Sequence, residues 1–459
     1  MSLKKQFMKY AASSITSMWI FSLYSMVDGI FVSHGVGEKA LAGVNLASPF
    51  NQLVFAIGLT FSVGASTIIA ACLGRKETKR ANQYFNQNLV VLGLCALALT
   101  AFVQLNLDSV VRFLGAEGEI YQHTRDYVRI ISLFAIFFMI SYNLEVLVKT
   151  DGMPQISVIG VTSCGLMNVL LDYVFVMRLG WGVAGAAFAT GLAQVTSTVI
   201  FLSYFLIQKR QLQFGRFTPQ LGIYKRLIPT GAADGITELS TGITAFLFNH
   251  VILSVIGEDG LVSYTIISYV NTLVIMTMTG LTQGMQPLTS FWYGRGDQGQ
   301  CRRLLRYGFV SATGIALGSF ALITVFAPYL VSAFIGRGNE ALFAYSTAAL
   351  QKFSFSFLAA GFNILMAGYL VTVEKPAYSF AISLSRSLVL NAGCLFLLAA
   401  LFGGEGIWYA AFANEGLCLI LTILLSRRYF KSQKPARFQQ PETEGQEPDL
   451  GVGDSLPMV

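Results

Sequence analysis

Asn168 and Asp172 stand four residues apart in Asn168-Val169-Leu170-Leu171-Asp172-Tyr173, which places an amide and a carboxylate on one face of a helix. A third oxygen-bearing group, Asp28, lies in Tyr24-Ser25-Met26-Val27-Asp28-Gly29-Ile30-Phe31-Val32, and Thr190 follows in another apolar stretch. Two carboxylates with neutral oxygens are what a hard cation needs in place of its water, and what a shared proton needs too. An ionisable residue deep in such a stretch costs about 2.5–3.5 kcal/mol on insertion into a bilayer, so each calls for a reason. The plainer reason is that each acid reaches the aqueous interface or pairs locally. A second group is Asp234 and Glu238, one turn apart after Pro229, which could attract a cationic substrate, relay a proton, or sit hydrated in an aqueous mouth. Arg386 is the lone base deep in an apolar segment: a counter-ion for Glu238 or Glu415, or a binder of anionic substrate. Glu145 and Lys149 read as an i, i+4 ion pair. His34, His123 and His250 form no cluster, and the six cysteines show no CxxC spacing, so no metal site is expected beyond Na⁺ at Asp28, Asn168 and Asp172.

The elements that carry these groups are membrane spans. Of 459 residues, 54% are hydrophobic and 12% charged, with a mean hydropathy of +0.60. A soluble chain of this length carries about a quarter charged residues, so most of this surface must face lipid. Windows of about 19 residues predict twelve helices. They fall near 11–33, 45–73, 87–107, 127–148, 155–177 and 183–207, then 228–256, 261–292, 306–335, 343–372, 377–402 and 406–426. Basic residues sort to one side, about 23 against about 7, which puts both termini in the cytoplasm of a multi-pass cell-membrane protein. That bias accounts for the net charge of +7 without a nucleic-acid partner. The chain divides into a first lobe over 1–207, a basic linker over 208–227, a second lobe over 228–427 and a polar, disordered cytoplasmic tail over 428–459.

The two lobes repeat one another. Gly37-Glu38, Leu41, Asn51, Leu53, Val54, Gly64 and Gly74 return as Gly257-Glu258, Leu261, Asn271, Leu273, Val274, Gly284 and Gly294, a shift of 220. Gly182-Val183 and Ala186-Ala187-Phe188-Ala189 return as Gly406-Ile407 and Ala410-Ala411-Phe412-Ala413, a shift of 224. Six spans per lobe is even, so the repeat is parallel. The mates of Asp28 and Asp172 fall near Phe248 and Cys394, so a cation site belongs to the first lobe alone. A duplicated membrane protein holds its ligand between or within its halves and moves one against the other, which points to a transporter. No phosphate-binding GxxxxGK[ST] loop is present, leaving an ion gradient as the source of work, and no nucleophile–base pair suggests an enzyme.

Val27-Asp28-Gly29-Ile30-Phe31-Val32 followed by Gly37-Glu38-Lys39-Ala40-Leu41-Ala42 resembles the first-span signature of the multidrug and toxic compound extrusion (MATE) family. So do Lys149-Thr150-Asp151-Gly152-Met153-Pro154, the Asn168–Tyr173 string and Gly182-Val183-Ala184-Gly185-Ala186-Ala187. The resemblance covers about residues 5–430. It implies two six-helix lobes in a V around a central cavity, and a monomer that exports organic cations against H⁺ or Na⁺ by alternating access, with no other cofactor. In the branch with a cation site in the first lobe, the matching positions are Asp28, Asn168, Asp172 and Thr190. Glu238 roughly matches a seventh-helix glutamate of another branch. Where such relatives often carry a proline early in helix 1, this chain reads Ala11-Ala12-Ser13-Ser14. The alternative is a flippase or exporter of a lipid-linked or anionic metabolite on a related two-lobed fold, for which Arg386 is the hint.

Overall fold

Apolar runs this long leave the backbone no partner but itself, and the chain answers with helices throughout. The computed structural model describes residues 2–207, 210–335 and 339–432. We label the crossing helices α1 (Leu3–Gly35), α2 (Lys39–Gly74), α3 (Thr78–Leu105), α4 (Gly118–Thr150), α5 (Pro154–Arg178), α6 (Gly182–Ile207), α7 (Tyr224–Val255), α8 (Glu258–Gly294) and α9 (Gln298–Ser332). The tenth, α10, is a pair, Glu340–Ser354 and Phe357–Thr372, bent by 41°. The run Pro376–Ser432 is 57 residues long, far more than one crossing needs. Gly403, at φ 59° and ψ −142°, breaks it into α11 (376–402) and α12 (404–432), since that conformation is open only to glycine. Twelve crossings return the chain to the face it started from, here termed the terminal end.

Several helices begin before their apolar windows: α1 at Leu3 rather than 11, α3 at Thr78 rather than 87, and α4 at Gly118 rather than 127. Polar first turns extend these helices past the lipid, where hydropathy has no signal. The linker likewise gives way to α7 at Tyr224, and residues 428–432 of the expected tail are the last turn of α12. Gln208, Lys209 and 433–459, with Lys434 and Arg437 of the basic set, lie outside the described residues.

Within the first lobe α1 seats on α5, α2 on α4, and α4 and α5 on α6; between lobes α1 meets α8, and α2 meets both α7 and α8. Repeated glycines make that seam close. A side chain on Gly74 would meet the Phe291 carbonyl at 2.0 Å, and one on its mate Gly294 the Ala71 carbonyl at 2.1 Å. Gly284 faces Tyr10, Gly231 faces Thr60 and Gly64 faces Leu227, all through backbone. At the terminal end Glu374 accepts Arg226 at 2.7 Å and, across the lobes, Arg75 at 3.7 Å. At mid-depth Trp19 Nε1 donates to Thr277 Oγ1 (2.8 Å) and Gln283 Nε2 to Tyr142 OH (3.0 Å). Among the described residues, the inter-lobe hydrogen bonds and ion pairs lie at mid-depth or toward the terminal end. Outward-facing side chains such as Leu94, Phe102, Val199, Val310, Leu397 and Ile420 are exposed and apolar, as a lipid-facing girdle requires.

The inter-lobe linker is held down by amides. Asn82 Nδ2 donates to Gln211 O (3.0 Å), and Asn86 pairs twice, from Nδ2 to Gln213 O (2.9 Å) and from Gly215 N to its Oδ1 (3.0 Å). Gln87 does the same with Gln220 (3.1 and 3.0 Å), and Gln83 Nε2 donates to Thr218 O (2.9 Å). These α3 side chains act as the missing neighbour strand for a backbone that forms no ladder of its own. Asp151 fixes the near end, accepting Leu212 N (2.9 Å) and Tyr204 OH (2.7 Å). Burial pushes its carboxyl up to about 6 against those two bonds, which favour the charged form.

Asn82→Ala with Asn86→Ala removes bonds worth about 0.5–1.5 kcal/mol each, so trypsin should cut at Arg210 and Arg216 on the order of 10-fold faster. Wild-type cleavage rates in that variant would mean the strap does not hold. Asp151 has its folded pKa above its unfolded value, so the native state binds the extra proton and stability falls as pH rises from about 4 to about 6. Asp151→Asn should flatten the melting profile in that window, read by thermal unfolding at several pH values.

Candidate functional site

Three helices of the first lobe bring four dispersed residues to one place. α1 and α5 run in the same direction side by side, and α6 closes against α5. Asp28 lies about two turns from the far end of α1, Asn168 and Asp172 at the end of the regular part of α5, and Thr190 two turns into α6. The Asp28 carboxyl lies close to Asp172, Thr190 and Asn168. Asn168 Nδ2 donates to Thr190 Oγ1 (3.3 Å), and Thr190 Oγ1 donates to Ala186 O (3.0 Å). Asn168 and Asp172 are fully buried and Asp28 partly so. All four residues read from spacing therefore meet.

The cluster is rich in acceptors and poor in donors. Asp28 Oδ1, Asn168 Oδ1 and both oxygens of Asp172 are buried without a hydrogen-bond partner. Buried acceptors are ordinarily satisfied, so four together mark a place built to receive positive charge. Directly after Asp172 the helix widens into a π turn, Tyr173–Arg178, a local expansion found often at functional sites. Tyr127 of α4 stands near enough to both carboxylates to feel their charge, and Asn51 Nδ2 lies 3.4 Å from its hydroxyl. Sequence reading missed both, because an aromatic in an apolar helix carries no signal of what faces it. The donor set, carboxylates with an amide and a hydroxyl, suits a hard cation or a proton; among the described residues no group of three His, Cys, Asp or Glu gathers, here or elsewhere.

Asp234 and Glu238 lie apart from this cluster, on α7 at the inter-lobe seam. Both act on Tyr142, whose hydroxyl is held by Gln283 of α8. Tyr142 also belongs to an aromatic group of the first lobe: Phe55 contacts Phe21 (5.5 Å), Phe138 (6.1 Å) and Tyr142 (6.4 Å). Acids near an aromatic group are chemistry that suits a flat organic cation. Arg386 joins neither group; it pairs with Glu415 at 2.8 Å, the second of the two counter-ions the sequence allowed. The i, i+4 pair Glu145–Lys149 forms at 2.9 Å and is wholly buried. Ser157 donates to the same glutamate oxygen (2.6 Å) and meets Ser17 of α1 (3.1 Å), so the pair ties α4, α5 and α1 below the cluster.

Comparison with known proteins agrees with this geometry. The MatE family profile matches residues 13–174 and again 236–397, once per lobe. The multidrug export protein MepA of Staphylococcus saprophyticus is 24% identical over 419 residues, covering 89% of this chain and 91% of the relative. MepA of a bovine Staphylococcus aureus strain is 24% identical over 416 residues with the same coverage. Among solved structures, an outward-facing multidrug resistance MATE transporter of the MOP superfamily superposes with a TM-score of 0.89 at 22% identity, over 94% of this chain and 97% of that one. A MOP superfamily transporter from Pyrococcus furiosus Vc1, described as having a binding pocket of reverse polarity, gives 0.87 at 23% identity with the same coverage.

Asp172→Asn takes away one of two facing carboxylates and gives Asp28 an amide donor. In choline buffer free of alkali cations the variant should melt ~1–2 °C above wild type, as relief of about 1 kcal/mol of repulsion implies. A lower midpoint would show that the two acids do not oppose each other.

Proposed function

The chain belongs to the MatE family, and from that premise we propose that it is a multidrug exporter that antiports organic cations against H⁺ or Na⁺ by alternating access. The observation that carries the reading is the set of four buried, unpartnered oxygens on Asp28, Asn168 and Asp172. A mobile cation or proton arriving there draws α1, α5 and α6 together; without it, facing carboxylates push them apart. Substrate that prefers the second arrangement is then coupled to the ion through the difference in affinity between two states.

The relatives named as multidrug export proteins support the broad substrate class, and the aromatic group around Phe55 near Asp234 and Glu238 supports flat cations within it. The excess of basic residues at the terminal end supports a cytoplasmic placement of both termini in a cell membrane, with residues 1–207 and 228–427 as the moving lobes. On that orientation the glycine seam and the Arg75–Glu374 pair close the cytoplasmic side, an outward-open state. An anionic or lipid-linked substrate finds less support, because the guanidinium that suggested it is matched by Glu415. The monomer has the cluster complete within one chain.

In reconstituted vesicles, efflux of a fluorescent organic cation should follow an imposed Na⁺ or pH gradient, and Asp28→Asn should reduce it by at least about 100-fold while protein in the membrane stays constant. Gradient-driven efflux at the wild-type rate in Asp28→Asn would sink the coupling role of the cluster; no cation efflux under either gradient would sink the antiport reading.

A further inference from the structure

Two of the four cluster residues have polar mates in the second lobe. Pro154 and Pro376 open α5 and α11 alike. A π turn at Ser385–Val389 then adds a residue to α11, so Asn391 stands where Asn168 stands in α5. The match of Gly182-Val183 to Gly406-Ile407 places Asn414 at the position of Thr190. Oδ1 of Asn391 and of Asn414 is buried without a partner, as Asn168 Oδ1 is. The acids have no such mates: Asp172 falls at Leu395, and Asp28 in the stretch Phe248–Val251, where both named residues are buried in the apolar core.

What the second lobe has instead is an ion pair of its own. Arg386 Nε lies 2.8 Å from Glu415 Oε1, with the two side chains 15% and 7% exposed. Glu415 follows Asn414 directly, and Asn414 Nδ2 donates to the Arg386 carbonyl (3.0 Å). The other carboxylate oxygen accepts Asn363 Nδ2 (2.8 Å), and Asn363 Oδ1 accepts Thr422 Oγ1 (2.9 Å). Thr244 of α7 donates to the Ser387 carbonyl inside the π turn (2.8 Å). So α7, α11 and α12, the mates of α1, α5 and α6, are joined around a positive charge that is already present and cannot leave.

We propose that Arg386 is a tethered cation. It supplies the second lobe with the charge that the first lobe takes up from solution, and it holds α7, α11 and α12 in the joined arrangement while α1, α5 and α6 alternate. A guanidinium paired with a buried carboxylate leaves, when deleted, a space beside Glu415 that a free guanidinium matches in size and charge. Arg386→Ala therefore creates a guest site for free guanidinium. The comparison with the first lobe rests on the exporter reading above; the pair and its vacated site do not, and can be tested without transport.

Full-length wild type, Arg386→Ala, Arg386→Ala/Glu415→Gln and Arg386→Ala/Asp28→Asn are purified in detergent and melted. Arg386→Ala should melt at least ~3 °C lower, since it strands a buried carboxylate. Guanidinium chloride at ~10 mM, far below denaturing levels, should restore most of that loss through binding to the folded form alone, whereas equimolar choline should not. Adding Asp28→Asn should leave the response intact, and Glu415→Gln should restore stability with no addition. An Arg386→Ala protein as stable as wild type, or one rescued by neither guanidinium nor Glu415→Gln, overturns the assignment. If Arg386→Ala yields no folded protein, the Glu415→Gln double variant should still be recovered, and its loss overturns it equally. In vesicles, Arg386→Ala efflux should rise at least severalfold on adding guanidinium; efflux indifferent to guanidinium while the melting point responds would reduce the pair to a structural cross-link. Absence of cation efflux in wild type would reject the exporter reading and leave the melting result standing.

Discussion

In a bilayer no water waits to satisfy a polar group, and that constraint shapes nearly every side-chain contact in this protein. The buried charges of the first lobe's core are compensated in full: Lys149 by Glu145, with Ser157 and Ser17 completing the shell. In the second lobe Arg386 pairs with Glu415, whose other oxygen is held by Asn363 and, through it, Thr422. Even outside the core, the linker's peptide groups are met by amides of α3. Against that background the bare oxygens of Asp28, Asn168 and Asp172 stand out because four of them gather in one cluster where two acids face each other, a concentration that carries a cost. Such a cost is sustained where an incoming ligand supplies the missing partner.

The same economy governs how the lobes meet. Helices in lipid gain nothing from hiding apolar surface from one another, so close approach must come from small residues. The repeated glycines Gly74 and Gly294 each touch the other helix's backbone, and Gly284 adds a third such contact. Backbone-to-backbone contact involves no side-chain interlocking, so it can be separated without repacking either lobe. Among the described residues, polar bonds that cross between the lobes include Trp19–Thr277, Tyr142–Gln283, Arg75–Glu374 and Tyr224–Gln87. Beside the glycines, aromatic pairs such as Phe7–Tyr307 (5.9 Å) and Phe61–Tyr224 (5.9 Å) pack across the seam, so its closure combines backbone contact with side-chain packing.

The sequence made the chemistry more legible than its surroundings. Asp28, Asn168, Asp172 and Thr190 announced themselves because a charge or amide in an apolar run has no cheap explanation. The twelve crossings followed from hydropathy, with the last two parted only by the kink at Gly403. Other features were hidden for physical reasons. Tyr127 is one aromatic among many, and only the fold shows which ring faces two carboxylates. The Asn82–Gln87 comb reads as an ordinary polar first turn, because its partner is backbone more than 120 residues away. The choice of Glu415 over Glu238 for Arg386 depended on the π turn, and a π turn has no compositional mark.

Duplication starts with two equal lobes, and the present inequality is informative about how one of them moves. An ion site in each lobe would let either respond, and the two responses would have to be synchronised for a single cleft to open on one side only. Converting one site to a closed network removes that requirement: the lobe keeps the polar stitching among its first, fifth and sixth helices but loses its dependence on solution ions. Asn391 matches the amide of Asn168 and Asn414 sets an amide where Thr190 has a hydroxyl, while apolar residues and a guanidinium–carboxylate pair stand in place of the acids. The stitching is therefore common to both lobes, and what differs is whether its charge is mobile or covalently attached. A transporter needs the first kind once; the second kind gives the moving lobe something rigid to move against.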